Sequence, residues 1–580
     1  MSDPSSHRTY FSSLVTRHSS LLYNPILHAL LAFALFLAGL GAIGLVGPDE
    51  PRYADVARAM LRSGDYVTPR LFGAPWFEKP PLYYWLAASF FRLGANELTA
   101  RLPSAVSAIA FLGVWFWFAQ RLFGGPTALL AAILLASSLG WIGFARAAAM
   151  DMLLAATLDA ALLLLALWFW ERQTVRLYGF YALLGLATLA KGPVAVALAG
   201  MIALGYIVNF REWAALKNLL WTPAVAAFLA VAAPWYAVCY FQNGFPFLEE
   251  FFLKHNLERL VSADALGHGQ PIWYYVPILA AGLFPWSAML LLPAVEVIRG
   301  GLRAILSDRR KAFLFYWVAL PFAFFSVSQN KLPGYLLPIL PPLTLWIAAI
   351  AMSGSETKTS EPTERNSKET TRPDPLLARL VPWLAGLSAV ALLSVPVLAP
   401  LLSESLATGL RHALAEWNGA VVWAQISKGP VPAPVWVVLV GLIALSLYLL
   451  SRKQVLEGAF AALLGVAVSM LVITTYLSPS INRVASMRTV AQRIASLGVP
   501  GEAVAVYRIH RNQALQLGFY LDHALPEWSP EGGNSEISLV VAGQDEQITL
   551  AHPASLFPGQ RVRLWELIGI RIETEPPPAP

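Results

Sequence analysis

Acidic and basic residues cluster directly after the first long apolar segment of this chain. That segment, at 26–46, is followed by two adjacent carboxylates, Asp49 and Glu50, and then by Arg52. A carboxylate next to a cation can serve as a general base or hold a cationic group of a substrate. We therefore expect this stretch to carry chemistry. The alternative is that Asp49 is only a helix N-cap, with Glu50 and Arg52 as ordinary first-turn charges.

A second charged pair, Glu78 and Lys79, lies in an aromatic run that extends from Trp76 to Trp85 and contains two prolines. An ammonium group in such an interfacial setting could neutralise the phosphate of a lipid-linked substrate. The alternative is an interfacial anchor with a snorkelling lysine.

Further candidate residues are spread along the chain. Asp151 lies at the outer end of the apolar segment at 152–170. A carboxylate at that position is costly unless it is paired with a cation or used in the function of the protein. The others are Lys191, His255, Arg259 and Tyr335. Each is a weak indication when taken alone, because a single histidine in a loop is more often structural than a ligand.

The elements that must position these residues are membrane spans. The chain has 580 residues, of which 57% are hydrophobic and only 13% charged, whereas soluble proteins carry about 25% charged residues. About thirteen apolar segments approach the ~20 residues needed to cross a bilayer. They lie at about 26–46, 102–119, 126–143, 152–170, 177–190, 193–210, 218–239, 272–295, 312–327, 334–352, 379–401, 433–450 and 456–476. The predicted fold is mainly α and polytopic transmembrane.

The distribution of basic residues predicts the orientation. Short loops on one side are rich in lysine and arginine, most clearly at Arg309-Arg310-Lys311, and such loops are normally cytoplasmic. All the candidate motifs fall in the other set of loops. We therefore expect a multi-pass protein of the bacterial inner membrane, with its chemistry on the periplasmic face.

Composition also divides the chain. We predict a catalytic transmembrane module at 1–352 with periplasmic loops at 47–101 and 240–271, a disordered cytoplasmic loop at 353–378, C-terminal spans at 379–480, and a soluble periplasmic α/β domain at 481–580. The 353–378 loop has almost no apolar residues to bury. In the last domain an amphipathic helix at 484–497 and β-like runs at 503–508, 537–542 and 561–567 are expected, and we read no catalytic group there.

Together the motifs resemble the lipid-carrier-dependent GT-C glycosyltransferases, which are related to the protein O-mannosyltransferases. The nearest group is the bacterial lipid A 4-amino-4-deoxy-L-arabinose (aminoarabinose) transferases. The resemblance covers about 26–350, with one departure, Trp76 where that group usually has tyrosine. The matching motifs are Asp49-Glu50-x-Arg52-Tyr53, Phe77-Glu78-Lys79-Pro80, Asp151, Lys191-Gly192, His255-x-x-x-Arg259, His268-x-x-Pro271-x-x-Tyr274-Tyr275-x-Pro277 and Lys331-Leu332-Pro333-x-Tyr335.

The resemblance implies a sugar donor carried on undecaprenyl phosphate and lipid A or another periplasmic acceptor. Asp49, Asp151 and Glu50 would then be catalytic. A hydroxyl acceptor would need a general base, whereas a lipid A phosphate would leave the carboxylates to hold the amino sugar. Glu78 and His255 could bind a divalent metal such as zinc. The carrier phosphate would be bound by Lys79, Arg52, Arg259, Lys191 and Tyr335.

Two alternatives stay open. The same chemistry could move another polyprenyl-phosphate-linked sugar, such as a mannose-like one, to a hydroxyl of a protein, polysaccharide or lipid. A lipid or sugar transporter would keep its ionisable groups near the mid-plane and often contain repeats, but here the charges lie at one rim. Membrane lipids are expected partners and nucleic acid is not, since no basic stripe interleaved with aromatics occurs. A monomer is expected.

Overall fold

The structure, a computed structural model, describes residues 22–258, 270–353, 375–398, 431–507, 509–527, 539–542 and 563–566. Helices dominate it, so the prediction of a mainly α membrane fold is confirmed. The predicted 353–378 loop lies almost wholly outside the described residues.

The helices up to the middle of the chain are α1 (Pro25–Ala32, continued by a π-helical turn at Phe33–Leu37), α2 (Asp49–Ser63), α3 (Leu82–Phe91), α4 (Glu97–Phe123), α5 (Gly125–Ala136), α6 (Leu139–Ala145), α7 (Asp151–Glu171), α8 (Val175–Lys191), α9 (Val194–Phe210), α10 (Trp213–Leu220), α11 (Val225–Asn243) and α12 (Phe245–Leu248), with a π-helix at Glu249–Glu258. A two-stranded antiparallel ribbon, β1 (Arg70–Leu71) and β2 (Ala74–Pro75), follows α2.

The remaining helices are α13 (Tyr275–Leu283), α14 (Leu291–Gly300), α15 (Leu302–Ser307), α16 (Arg309–Val327), α17 (Leu340–Ser353), α18 (Pro375–Leu398), α19 (Ala433–Ser451), α20 (Val455–Val472), α21 (Ser478–Ala485), α22 (Arg488–Ser496) and α23 (Arg511–Leu521). Short 3₁₀ helices lie at Ile272–Tyr274, Trp286–Leu290 and Pro333–Ile339.

Seven described helices are long and apolar enough to cross a membrane, or eight if the bent pair α5 and α6 forms one span. Four shorter apolar helices add to them. The protein is therefore an integral membrane protein. The count of about thirteen spans stays a prediction.

Two predicted spans are less regular than their composition suggests. The segment at 26–46 is helical only to Leu37, and Gly39 then adopts a positive φ of 60°. A Cβ at Gly39 would lie 2.4 Å from Cβ of Thr474, so this close approach requires glycine. The segment at 272–295 breaks between Leu283 and Trp286, where Pro285 cannot donate a helical hydrogen bond.

Helix α2 differs most from its sequence pattern. The spacing of Arg52, Asp55, Arg58 and Arg62 predicts a polar face on a helix that lies along the membrane surface, but the structure buries Asp55 and Arg58. Other parts of the chain cover that face, including the C-terminal segment that contains Asp522. Gly64 ends the helix in the left-handed region, which glycine adopts without a steric penalty. The residue at the N-cap position is Pro48, so the interpretation of Asp49 as only a cap is wrong.

The C-terminal part contains a parallel sheet of three strands in the order β3 (Val504–Tyr507), β4 (Leu539–Ala542), β5 (Arg563–Glu566). Each strand lies within one of the three predicted β-like runs. The predicted single helix at 484–497 is instead divided between α21 and α22, because Ser486 is extended. The domain boundaries stay a prediction.

A buried ion pair between Glu50 and Arg101 joins three segments of the fold. The guanidinium of Arg101 donates from Nε to Oε1 of Glu50 at 2.8 Å and from Nη2 to Oε2 at 2.6 Å. The carboxylate also accepts the backbone N–H groups of Val46 and Ala148, each at 2.8 Å. Arg101 further donates to the carbonyl oxygens of Leu40, Ile43 and Gly44.

This pairing corrects the predicted catalytic role of Glu50. Glu50 is 5% exposed and both of its oxygens are engaged by protein donors, so it is not available to a substrate. The pair instead fixes the non-helical stretch after α1, the start of α2 and the turn before α7.

Helix α7 separates two sets of charges. It begins at Asp151 and ends at Glu171, and its 21 residues span roughly 30 Å. At the Glu171 end, predicted cytoplasmic loops meet through Arg121–Glu171 at 2.9 Å, Arg309–Glu212 at 2.5 Å and Lys311–Glu296 at 2.7 Å. The candidate residues lie at the other end.

The two ends of α7 should be distinguishable by labelling. We expect a cysteine in a Ser63→Cys variant to react with a membrane-impermeant maleimide in intact spheroplasts, and a cysteine in a Gln173→Cys variant to be protected, because the basic loops face the cytoplasm. Both sites are exposed, and the chain's one cysteine, Cys239, is first replaced by alanine. The reverse labelling pattern would contradict the orientation.

Breaking the buried pair should be strongly destabilising. An Arg101→Met variant leaves the Glu50 carboxylate buried without its cation, which costs roughly 3–5 kcal/mol. Replacing both partners, as in Glu50→Leu with Arg101→Met, removes the lone charge and should recover part of that loss. Thermal unfolding of the purified protein measures both. Both variants lack the ion pair and differ only in the carboxylate. A double variant less stable than Arg101→Met would show that the hydrogen bonds from the backbone to this carboxylate stabilise the fold by more than its unpaired buried charge destabilises it.

Candidate functional site

Four charged side chains form an alternating row at the start of α2. Arg52 lies one helical turn after Asp49 and forms an ion pair with it, and the same guanidinium donates to Oε2 of Glu78 at 3.2 Å. Nζ of Lys79 lies 3.2 Å from the other oxygen of Glu78. The Pro80-Pro81 step precedes α3 and fixes the backbone that presents the Glu78–Lys79 pair. Tertiary folding thus joins two motifs that are 26 residues apart.

The row is largely buried except at Asp49, and aromatic rings lie against Arg52. The guanidinium of Arg52 lies 5.6 Å from the ring centre of Trp76 and 5.7 Å from that of Tyr53. The side chains of Arg52 and Glu78 are 11% and 8% exposed, whereas that of Asp49 is 45% exposed. Asp49 is therefore the member of the row that is most open to a ligand.

Arg52 acts as a permanent cation in this row. Burial lowers the pKa of its guanidinium, but the negative charges of Glu78 and Asp49 outweigh that effect, and the net pKa is raised above its usual value. Its Nε also donates to the carbonyl oxygen of Pro48 at 2.9 Å. Arg52 therefore orients the two carboxylates, and each of its three nitrogens already donates to a protein group.

A second acid–base pair joins the ends of α7 and α8. Asp151 is the first residue of α7, and Lys191 is the last residue of α8; their side chains form an ion pair. Each charge complements the partial charge of its own helix terminus. Nζ of Lys191 also lies 4.9 Å from the ring centre of Tyr335. A Cβ at Gly334 would lie 2.2 Å from Oδ1 of Asp151, so only glycine fits there.

The Glu50–Arg101 pair links these two groups. Glu50 is adjacent to Asp49, and its carboxylate holds the N–H of Ala148, three residues before Asp151. Sequence reasoning missed Arg101, because 51 residues separate it from Glu50. The only signal was an arginine placed directly before a long apolar run.

The described residues do not form a metal site. No group of three or more histidine, cysteine, aspartate or glutamate side chains among them could hold an ion. The carboxylate of Glu78 is flanked by Arg52 and Lys79, and two cations disfavour a third. His255 belongs to the π-helix at Glu249–Glu258, but its side chain is outside the description, as is all of Arg259. We therefore derive no step through a metal.

Glu250 shows that this π-helix lies near the row. Burial raises the pKa of its carboxyl group, and Glu78 raises it further, while Lys254 and a backbone donor at Phe77 oppose the shift. The ring centres of Phe77 and Phe247 are 5.4 Å apart. The loop that carries His255 in the sequence thus begins beside the Glu78–Lys79 pair.

Comparisons with known proteins agree with this architecture. Residues 78–237 match the family model of dolichyl-phosphate-mannose-protein mannosyltransferases. The undecaprenyl phosphate-alpha-4-amino-4-deoxy-L-arabinose arabinosyl transferase of Pseudomonas aeruginosa is 38% identical over 331 residues, which are 54% of this chain and 57% of that protein. The protein of the same name from Yersinia enterocolitica is 34% identical over 56% and 59%. The sequence match therefore spans little more than half of these relatives.

Solved structures extend the likeness to nearly the whole chain. The crystal structure of ArnT from Cupriavidus metallidurans bound to undecaprenyl phosphate has a TM-score of 0.65 and 25% identity, and the alignment covers 93% of this chain and 92% of that one. Its apo form gives 0.66 at 23% identity, which shows the same fold. The predicted resemblance is confirmed: residues 78–237 match the family model of dolichyl-phosphate-mannose-protein mannosyltransferases, and 93% of the chain aligns with the ArnT structure, whose GT-C fold it shares.

Proposed function

We propose that this protein transfers 4-amino-4-deoxy-L-arabinose from undecaprenyl phosphate to a phosphate group of lipid A on the periplasmic face of the inner membrane. The observation that carries the proposal is the row of Asp49, Arg52, Glu78 and Lys79, held beside the Asp151–Lys191 pair at one end of the membrane helices. The names of the sequence relatives and the undecaprenyl phosphate bound in the similar structure support it.

The carrier phosphate is the leaving group, and negative charge grows on it as the glycosidic bond breaks. Cations at that position stabilise the transition state more than the ground state. Lys79 lies at one end of the row and is our first candidate for this contact, acting as a point charge. Arg259 is the second candidate, because a planar guanidinium suits phosphate oxygens. Arg52 contributes by holding the carboxylates in place.

The carboxylates suit a cationic sugar. A lipid A phosphate is already anionic, so its attack on the sugar needs no general base. Asp49, exposed at the end of the row, then holds the ammonium group of aminoarabinose and stabilises positive charge that develops at the anomeric carbon. Asp151 is paired with Lys191 across the ends of α7 and α8. Its carboxylate also stabilises the positive charge that develops at the anomeric carbon.

A second candidate function is favoured by the family match. Residues 78–237 resemble enzymes named for mannose transfer to protein, and such an acceptor is a hydroxyl. Asp49 would then remove the hydroxyl proton as a general base. In the first function the carboxylate of Asp49 holds the ammonium group of the donor sugar, and in the second it removes a proton from the acceptor.

Mass spectrometry of lipid A tests the proposed function directly. Cells that make the protein and its donor should carry lipid A heavier by one aminoarabinose, and a Lys79→Ala variant should lose roughly 10²–10³ in rate, because it lacks the cation at the leaving phosphate. Lys311→Ala is the control, since it breaks a comparable lysine–glutamate pair at the other end of α7. Unmodified lipid A with the intact protein would refute the function; normal modification by Lys79→Ala would exclude that contact alone.

An Asp49→Asn variant separates the two acceptor classes. If Asp49 holds the amino sugar, its affinity for the donor should fall together with turnover, and the loss should shrink for a carrier-linked sugar without the amine. If Asp49 is a base, turnover should fall by roughly 10²–10⁴ with donor affinity unchanged. Donor binding and transfer are measured on the purified protein.

The control for this experiment is Asp308→Asn, at a helix N-cap near the other end of the spans. Asparagine caps about as well as aspartate, so this variant should behave like the unmodified protein. Unchanged donor affinity with lost turnover at Asp49→Asn would favour the hydroxyl acceptor over our proposal.

A further inference from the structure

The end of α16 and the segment that connects it to Tyr335 bury polar groups that the proposed mechanism does not use. Asn330 is 2% exposed, and within the described structure neither its Nδ2 nor its Oδ1 has a hydrogen-bond partner. The hydroxyl of Ser326, also buried, likewise lacks one there. The neighbouring Lys331 is 5% exposed.

Such an arrangement is costly unless something else completes it. A buried amide without hydrogen bonds has lost its hydration and gained nothing in return, a cost that an apolar side chain does not carry. Native proteins contain few buried polar groups of this kind. Asn330 therefore indicates that a ligand or an ordered water belongs next to it.

Lys331 makes the same segment electropositive. Its ammonium donates to the carbonyl oxygens of Ser328 and of Gln270, the latter at 3.0 Å. Among the described residues it forms no ion pair with a carboxylate, and burial lowers the pKa of its amine. The ammonium is thus held by neutral dipoles.

The segment forms one wall of the Asp151–Lys191 group. Gly334 contacts Asp151, and the ring of Tyr335 lies against Lys191. The ring of Phe325, next to Ser326, lies 4.9 Å from the ring of Tyr335. Asn330 and Lys331 therefore shortly precede, in the chain, the glycine that lies against Asp151.

The chemistry of the amide selects the class of ligand. Nδ2 is a donor and Oδ1 an acceptor, and the argument holds whichever way the amide is turned. An ionised phosphate can satisfy only the donor. A hydroxyl group both donates and accepts, so two adjacent hydroxyls of a sugar can satisfy both atoms of one amide.

We propose that Asn330, with Lys331 beside it, forms a subsite that binds vicinal hydroxyl groups of a sugar and so contributes to sugar specificity. This inference rests on the proposed function, because it places a sugar beside Asp151 and Lys191. Both the donor sugar and the sugar backbone of the acceptor carry hydroxyls, and the experiment below distinguishes them.

The test compares Asn330→Leu and Asn330→Ala in the purified full-length protein. We expect the KM for the substrate that binds here to rise about tenfold, because the variants lose the binding free energy of one or two neutral hydrogen bonds. A rise for the carrier-linked donor assigns the subsite to the transferred sugar, and a rise for lipid A assigns it to the acceptor. The melting temperature should not fall for Asn330→Leu, because an amide without partners is replaced by an apolar group of similar size.

The matched control is Asn209→Leu. The amide of Asn209 donates to the carbonyl oxygen of Leu306 at 2.8 Å, so its replacement should lower the melting temperature and leave both KM values unchanged. A donor that lacks one hydroxyl provides a second measurement. Removal of that hydroxyl should weaken binding to the unmodified protein about tenfold, but much less to Asn330→Ala, since coupled groups are not additive.

Two results would overturn the inference. Asn330 contacts only water if both KM values stay within twofold in both variants. The same conclusion follows if Asn330→Ala is as sensitive as the unmodified protein to loss of a hydroxyl from the substrate whose KM rises. Failure of the proposed function looks different, because the unmodified protein then transfers no aminoarabinose. In that case thermal shift with undecaprenyl-phosphate-linked mannose, for the unmodified protein and both variants, tests the subsite, and equal shifts would refute it.

Discussion

The candidate site depends on the buried ion pair between Glu50 and Arg101. Two charges out of water are stabilising only when their remaining donors and acceptors are also satisfied. Here backbone groups from two segments, the stretch after α1 and the turn before α7, complete the pair. Because those segments precede α2 and α7, one interaction sets the position of both Asp49 and Asp151. Only 13% of the residues are charged, and one buried pair among them positions the segments that carry Asp49 and Asp151.

The other charges are divided between the ends of the membrane helices. At one end, arginine and lysine side chains meet glutamates in exposed or half-exposed pairs that join short loops. At the other end, carboxylates and cations alternate under aromatic rings. Pairs of the first kind contribute little to stability. The second group is largely desolvated except at Asp49, so each charge acts strongly on its neighbours.

Local patterns failed where distant parts of the chain cover a surface or interrupt a helix. The charged face of α2 reads as solvent-exposed, yet Asp522, more than 450 residues later, pairs with Arg58 and Arg62. The first apolar segment reads as one span, but its helix ends at Leu37, and the close contact with Thr474 that follows requires a glycine at Gly39. Periodicity records which residues are polar; it does not record whether another element will bury them.

The amino-acid sequence by itself determined the membrane class, the approximate helical segments and the motifs Asp49–Arg52, Glu78–Lys79, Asp151 and Lys191. These follow from hydrophobicity and residue type, which act locally. Only the tertiary structure decided which charges pair with which. It assigned Glu50 to Arg101, placed Arg52 between Asp49 and Glu78, and joined Asp151 to Lys191. Those choices depend on long-range contacts, because an ion pair forms between the side chains that folding brings within about 4 Å, whatever their separation in the chain.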